Sequence, residues 1–206
     1  PDERVYDAFD DDCTNILFVG RLIPNKRPDQ LIRYFHAYQR LCNPRARLIL
    51  AGSHAHFESY LAQLHMLVAQ LGARNVHILG QVTNEELTAL YDVADLFLCA
   101  SEHEGFCVPI VEAFYKRVPV LAYASTAVPA TMDGGGVLFE TRDPLDVASL
   151  MEGVLSDEAW EDRILLAQDA ALARLRAQDF ALDLGLPADW RIATRDDGTR
   201  LGFPEV

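Results

Sequence analysis

Short apolar runs alternate along the chain with longer stretches in which apolar residues recur every three or four positions. The short runs fall at residues 16–19, 47–51, 76–79, 95–100, 119–123 and 137–139. Each is rich in Ile, Leu and Val and bounded by turn residues, which predicts β-strands. Their lack of polar alternation suits strands covered on both faces. Between them, Leu31, Phe35, Tyr38 and Leu41 share one helical face, and Pro28 suits a first helical turn. Tyr60, Leu61, Leu64, Leu67, Val68 and Leu71 form a second stripe, with Gly72 placed to end it. Thr83 and Glu86 have capping-box spacing ahead of Leu87, Leu90 and Tyr91. Pro109 opens a further helix to about Arg117, and residues 144–155 make another. The pattern predicts an α/β fold with a parallel, doubly wound sheet of about six strands.

Ligands on such sheets sit beyond the carboxyl ends of the strands. That rule selects the loops at residues 20–27, 52–56, 80–83, 101–107 and 124–136. The rhythm fades after about Leu175, where Gly185, Pro187, Gly198, Gly202 and Pro204 appear. Residues 14–175 are therefore expected to form the domain and 176–206 a tail or linker. Residues 1–13 hold six acidic side chains against Arg4 alone and read as a solvated leader.

The net charge of −13 over 206 residues argues against a nucleic-acid partner, which needs Lys and Arg stripes. Cys13, Cys42, Cys99 and Cys107 show no C-x-x-C pair and read as free thiols in a reducing compartment. No apolar stretch approaches the roughly 18 residues of a membrane span. His54, His56 and His65 lack a Cys or carboxylate at ligand spacing, so no metal site is expected. His103 either touches a ligand or shapes its loop. Gly134, Gly135 and Gly136 read as a plain turn.

Two groupings carry candidate chemistry. Gly20, Arg21 and Lys26 follow the first strand, where a helix N-terminus and two cations suit a diphosphate. Solvated surface cations are the bland alternative. The second grouping runs from Ser101 to Glu112. Glu104 lies in a loop and Glu112 about one turn into the next helix, both facing one crevice. A carboxylate accepts two vicinal hydroxyls of a polyol. Gly105 permits close backbone approach, and the amides near Phe106, Cys107 and Val108 can donate to anionic oxygens. A capped helix with surface glutamates is the alternative here.

The Glu104…Glu112 block resembles the Glu-x7-Glu motif of retaining GT-B glycosyltransferases, especially glycosyltransferase family 4, "glycosyl transferases group 1". So do Phe18-Val19-Gly20-Arg21-Leu22-Ile23-Pro24-Asn25-Lys26-Arg27-Pro28, Leu79-Gly80-Gln81-Val82, Leu90-Tyr91-Asp92-Val93-Ala94-Asp95 and Val128-Pro129. The resemblance spans roughly residues 14–175. It implies the C-terminal, Rossmann-like donor domain of a two-domain enzyme. The reaction implied moves a sugar from a nucleoside diphosphate to an acceptor hydroxyl, in polysaccharide biosynthesis. Arg21 and Lys26 would hold and stabilise the diphosphate in place of a metal or other cofactor. Glu104 would bond the donor sugar and Glu112 the ribose. Gly105, Phe106, Cys107 and Val108 would offer backbone contacts, and Gln81 and Val82 would line the base pocket.

The acceptor site is expected on an N-terminal domain of the same protein, missing from this chain, so the chain alone should not transfer sugar. The implied location is cytoplasmic, with attachment to the inner membrane face through that missing domain. Two alternatives stand beside this reading: a non-catalytic nucleotide-sugar-binding module, and an epimerase or phosphorylase of the same architecture. Base, sugar, acceptor and oligomeric state are left open. Three positions depart from the family's habit. Lys26-Arg27 stands for Lys-Gly, Cys107 for a small residue, and Pro129-Ala130 for Pro-Glu.

Overall fold

The computed structural model describes residues 2–177, 193–194 and 200–201. It divides into two compact units, Pro1–Leu172 and Ala173–Val206. The first holds six strands: β1 (Asn15–Val19), β2 (Arg47–Ala51), β3 (Val76–Gly80), β4 (Leu96–Cys99), β5 (Val120–Tyr123) and β6 (Val137–Phe139). They form one sheet in the order β3-β2-β1-β4-β5-β6. Every pairing in it is parallel. This is the Rossmann-like, doubly wound arrangement expected.

The period of two along each strand sorts the core into two layers. Ile16, Phe18, Leu48, Leu50, Leu96 and Leu98 face one side. They meet α2 (Pro28–Leu41), α3 (Glu58–Leu71) and α7 (Pro144–Ser156). Leu17, Ile49, Phe97, Cys99, Val120 and Ala122 face the other. They meet α4 (Asn84–Asp92), α5 (Val108–Tyr115) and α6 (Val128–Met132). Each fully buried Leu, Ile or Phe contributes about 1.5–3 kcal/mol, so both layers are needed to hold the sheet. The helix signals behave as read. Gly72 adopts the left-handed conformation after α3, and Thr83 and Glu86 cap α4 reciprocally.

Three elements depart from the sequence reading. The acidic leader is instead a helix, α1 (Glu3–Phe9), whose Val5 and Phe9 are buried in the second layer. One turn apart, these two supply a short apolar stripe inside a charged run. Tyr6 donates to Asp92 at 2.9 Å, and Arg4 pairs with Glu86 at 3.2 Å. Asp11 pairs with Arg47 at 2.8 Å, at the amino end of β2. The Arg47 guanidinium holds the Asp11 carboxyl down at about 2. The short α6 and the long α8 (Glu158–Ala177) were also unforeseen. Gln168 of α8 is fully buried and bridges the Val118 carbonyl and the Val120 amide at 3.0 and 2.9 Å.

The boundary expected at 175 falls inside α8. In the second unit, Ala193–Thr194 and Arg200–Leu201 pair as an antiparallel ladder. Gly185, Pro187, Gly198, Gly202 and Pro204 lie outside the described residues. No described helix is long and apolar enough to cross a membrane.

Candidate functional site

The loops chosen from the sequence gather at the carboxyl ends of β1 to β5. The first continue the sheet's ladder: Gly20 N–H donates to the Ala51 carbonyl at 2.9 Å and Gly52 N–H to the Gly80 carbonyl at 2.7 Å. A Cβ on Gly52, whose φ is +152°, would stand 1.9 Å from the Gly20 oxygen. Only glycine lets these two loops approach so closely.

Beyond Gly20 the chain makes a 3₁₀ turn at Pro24–Lys26. The turn brings Lys26 Nζ within 2.6 Å of Glu104 Oε2, with both side chains largely shielded from solvent. Arg21, on the same loop, stays exposed, its guanidinium 5.9 Å from the Phe57 ring centre. The two candidate cations are therefore in different states: one is paired across the crevice and the other faces water.

The loop after β4 is strapped to the segment after β5 by hydroxyls. Glu104 N–H donates to Thr126 Oγ1 at 2.9 Å, and the Thr126 hydroxyl lies 3.1 Å from the Glu104 carbonyl. Ser125 donates to the Ser101 carbonyl at 2.5 Å, and Thr131 to the Phe106 carbonyl. These bonds hold Glu104 by its backbone and leave its carboxylate to Lys26. Ser125, Thr126 and Thr131 escaped the sequence reading, because hydroxyls scattered over a loop and a short helix form no pattern. Thr131 supplies a polar link beside Ala130, where the resemblance leads one to expect Glu.

At the start of α5, Cys107 is left-handed, no side chain caps the helix, and its first turn holds no acid. The first turn of α2 carries Asp29, which offsets the positive end of that helix. The field at α5 is left open to an anionic ligand. Phe106 and Val108 are exposed there, and a Cβ at Gly105 would meet nothing within 4 Å.

One turn along, Glu112 Oε2 accepts from the Tyr91 hydroxyl at 2.9 Å, and the same hydroxyl lies 3.2 Å from the Pro109 carbonyl. Burial first, and then the Glu112 charge, push the Tyr91 phenol well above its ordinary range, so it stays a donor. Tyr91 was read from the sequence as a core residue. Its apolar ring is in the core, and its hydroxyl orients Glu112. Gln81 is exposed and Val82 half-buried, beside a hollow of about 230 Å³ that also touches Val5 and Phe9. A larger hollow of about 760 Å³ lies against α2 and α3 and includes none of the candidate residues. His54, His56 and His65 join no cluster of metal ligands among the described residues.

Comparison with known proteins places this geometry. The model of the family "Glycosyl transferases group 1" matches residues 2–171. O-antigen chain mannosyltransferase B of Escherichia coli is 29% identical over 160 residues, covering 77% of this chain and 41% of that protein. The structure of Anabaena Alr3699/HepE in complex with UDP and glucose superposes with a TM-score of 0.76 at 23% identity. It covers 89% of this chain and 51% of that one. The C-terminal domain of the group 1 protein LpcC from Francisella tularensis superposes with a TM-score of 0.70 at 20% identity. That match covers 83% of this chain and 90% of the domain. The chain thus spans less than half the length of the curated mannosyltransferase it matches.

Proposed function

The chain belongs to the glycosyl transferases group 1 family, and from that premise we propose that it is the donor-binding half of a retaining sugar transferase. The observation that carries the reading is the Lys26–Glu104 pair, 2.6 Å apart beside the acid-free N-terminus of α5. A donor diphosphate arriving there exchanges partners. Its oxygens take the Lys26 ammonium and the α5 amides, while Glu104 is released toward the sugar hydroxyls. Arg21, exposed on the same loop, closes on the same phosphates as a planar fork. Glu112, aimed by Tyr91, takes the ribose hydroxyls.

The chemistry asked of these groups is electrostatic. As the bond to the anomeric carbon lengthens, positive charge grows on the sugar and negative charge on the leaving diphosphate. Lys26, Arg21 and the helix amides meet the latter without reorganising. Glu104 positions the sugar and is not assigned as a nucleophile. The acceptor and any base acting on it belong to the N-terminal half of a two-domain protein.

Ligand-induced stabilisation tests the reading. A ligand that binds only the folded state raises stability by RT ln(1 + [L]/Kd), about 2.7 kcal/mol at a hundredfold excess over Kd. UDP-, GDP- and ADP-sugars are compared with their parent diphosphates; the UDP and glucose held by the Anabaena protein make UDP-glucose the first choice. At least one is expected to raise Tm by several degrees, with chelator present or absent. If none does, or if chelation weakens binding more than about tenfold, the metal-free donor site is wrong.

A further inference from the structure

The crevice holds two thiols that sugar transfer does not use. Cys99 ends β4 and is 1% exposed; Cys107 caps α5 and is 8% exposed. The loop between them folds back so that one donor atom from each of Cys99, Glu104 and Cys107 lies within 4.8 Å of the other two. Among the described residues no other three potential metal ligands lie so close together. The backbone of this loop is already held by Ser125, Thr126 and Thr131. The side chains therefore meet on a fixed frame.

Two thiolates and a carboxylate are a soft donor set with one hard member. It suits Zn²⁺ or Co²⁺ and does not suit Mg²⁺ or Ca²⁺. With Zn–S near 2.3 Å and Zn–O near 2.1 Å, a tetrahedral ion holds its ligands roughly 3.5–3.8 Å apart. The three atoms lie within 4.8 Å of one another, so side-chain rotations that close the spacing by about 1 Å would meet that range, and a water would complete the shell. Charge also closes: two thiolates and one carboxylate against a divalent ion leave one negative charge, and Lys26 stands 2.6 Å from Glu104. Loading releases two thiol protons to solvent and changes no oxidation state.

We infer that Cys99, Cys107 and Glu104 form a site for one soft divalent cation, and that loading it withdraws Glu104 from the donor sugar. The second half rests on the proposed role of Glu104; the first half does not. The ion is then an inhibitor of transfer, and the neutralisation of the diphosphate still falls to Lys26 and Arg21.

The test is a titration of the chain with Co²⁺ under a non-thiol reductant. A thiolate-to-cobalt charge-transfer band is expected to saturate at one equivalent and to vanish when Zn²⁺ is added. Cys107→Ser and Cys99→Ala should each lose the band and weaken metal binding at least tenfold. Cys42→Ser, which removes an exposed thiol, should keep both. Should the fully buried Cys99→Ala fail to fold by circular dichroism, Cys107→Ser decides alone. No band at one equivalent, or a band that survives loss of Cys107, overturns the site. This titration reads out whether or not any sugar nucleotide binds. In a second arm, Zn²⁺ should weaken the sugar nucleotide retained by the ligand screen at least tenfold and leave its parent diphosphate no weaker. If the metal loads and the sugar nucleotide binds as before, the metal site stands and the assignment of Glu104 to the donor sugar falls.

Discussion

The loop after β1 ends on Arg27 and the loop after β4 on Cys107, each in the left-handed region directly before a helix with proline in its first turn. Their φ values are 53° and 61°. The resemblance implies a glycine at the first position and a small residue at the second, and at the first the left-handed backbone is a reason for it. A non-glycine residue there costs about 1–2 kcal/mol. The two loops offset that cost differently. Arg27 reaches outward to Asp29 at 3.0 Å and to Glu102. Cys107 turns inward against Cys99 and the second core layer. Strain at a crevice can be held by charge at its rim or by burial at its base, and the two respond to different perturbations.

The largest expected effect is on the cationic side. Arg21→Ala combined with Lys26→Ala removes two charge-assisted contacts, each worth about 1.5–3 kcal/mol. Affinity for every diphosphate, with or without its sugar, should fall about a hundredfold or more in calorimetric titration. A double variant that binds like wild type would move the diphosphate away from the β1 loop.

The β4 side should instead discriminate between ligands. Glu112→Ala is expected to weaken free diphosphate and sugar donor alike, by on the order of tenfold. Glu104→Ala should leave the free diphosphate nearly unchanged and weaken only the sugar donor. The reverse pattern, measured by the same titrations, exchanges the two roles. If neither substitution matters, the glutamates are ordinary surface and helix residues.

Smaller effects separate the two left-handed residues. Arg27→Gly relieves the backbone and forfeits ion pairs worth about 0–1 kcal/mol each, so stability should change little. Cys107→Gly relieves the same strain but empties a buried position. The extra unfolded-state entropy of glycine is common to both. Cys107→Gly should therefore be the less stable by about 1 kcal/mol in urea unfolding, the order expected for a small buried side chain. Equal midpoints would show that burial of the thiol contributes nothing.

The smallest effect is acid dependence. Burial raises the Asp29 carboxyl, but the Arg27 guanidinium outweighs it and holds the group below its ordinary value. A carboxyl depressed in the folded state stabilises above its unfolded pKa of about 3.9 and loses that contribution as pH falls through the folded value. The stability gap between wild type and Asp29→Asn should accordingly shrink as pH drops below about 4. Cys107 contributes nothing in that range: its hydrogen bond to Cys99, together with burial, keeps its thiol protonated well above the ordinary value. A gap that stays constant down to about pH 3 would remove Asp29 from the support of Arg27.

The six strands were legible in the sequence nearly to their ends, because each is a short run rich in apolar residues; β1, β2, β4 and β5 are covered on both faces, while the edge strands β3 and β6 stay partly exposed. Helices α2, α3 and α4 were legible for a similar reason: each buries one stripe and carries a cap or stop of its own. Local pattern failed where burial was partial. α1 buries only Val5 and Phe9 among acids, and α8 buries Ile164, Gln168 and Ala171 with charges around them. Chain order placed Lys26, Glu104 and Glu112 on the right edge of the sheet, since a doubly wound sheet puts every such loop there. Only the tertiary structure decided their partners. Lys26 meets Glu104, Tyr91 aims at Glu112, Thr126 holds the Glu104 backbone and Cys99 faces Cys107. Those contacts join segments on different strands, and their geometry follows from the close approach of β1, β4 and β5. A period read along one segment carries no record of which segment packs beside it.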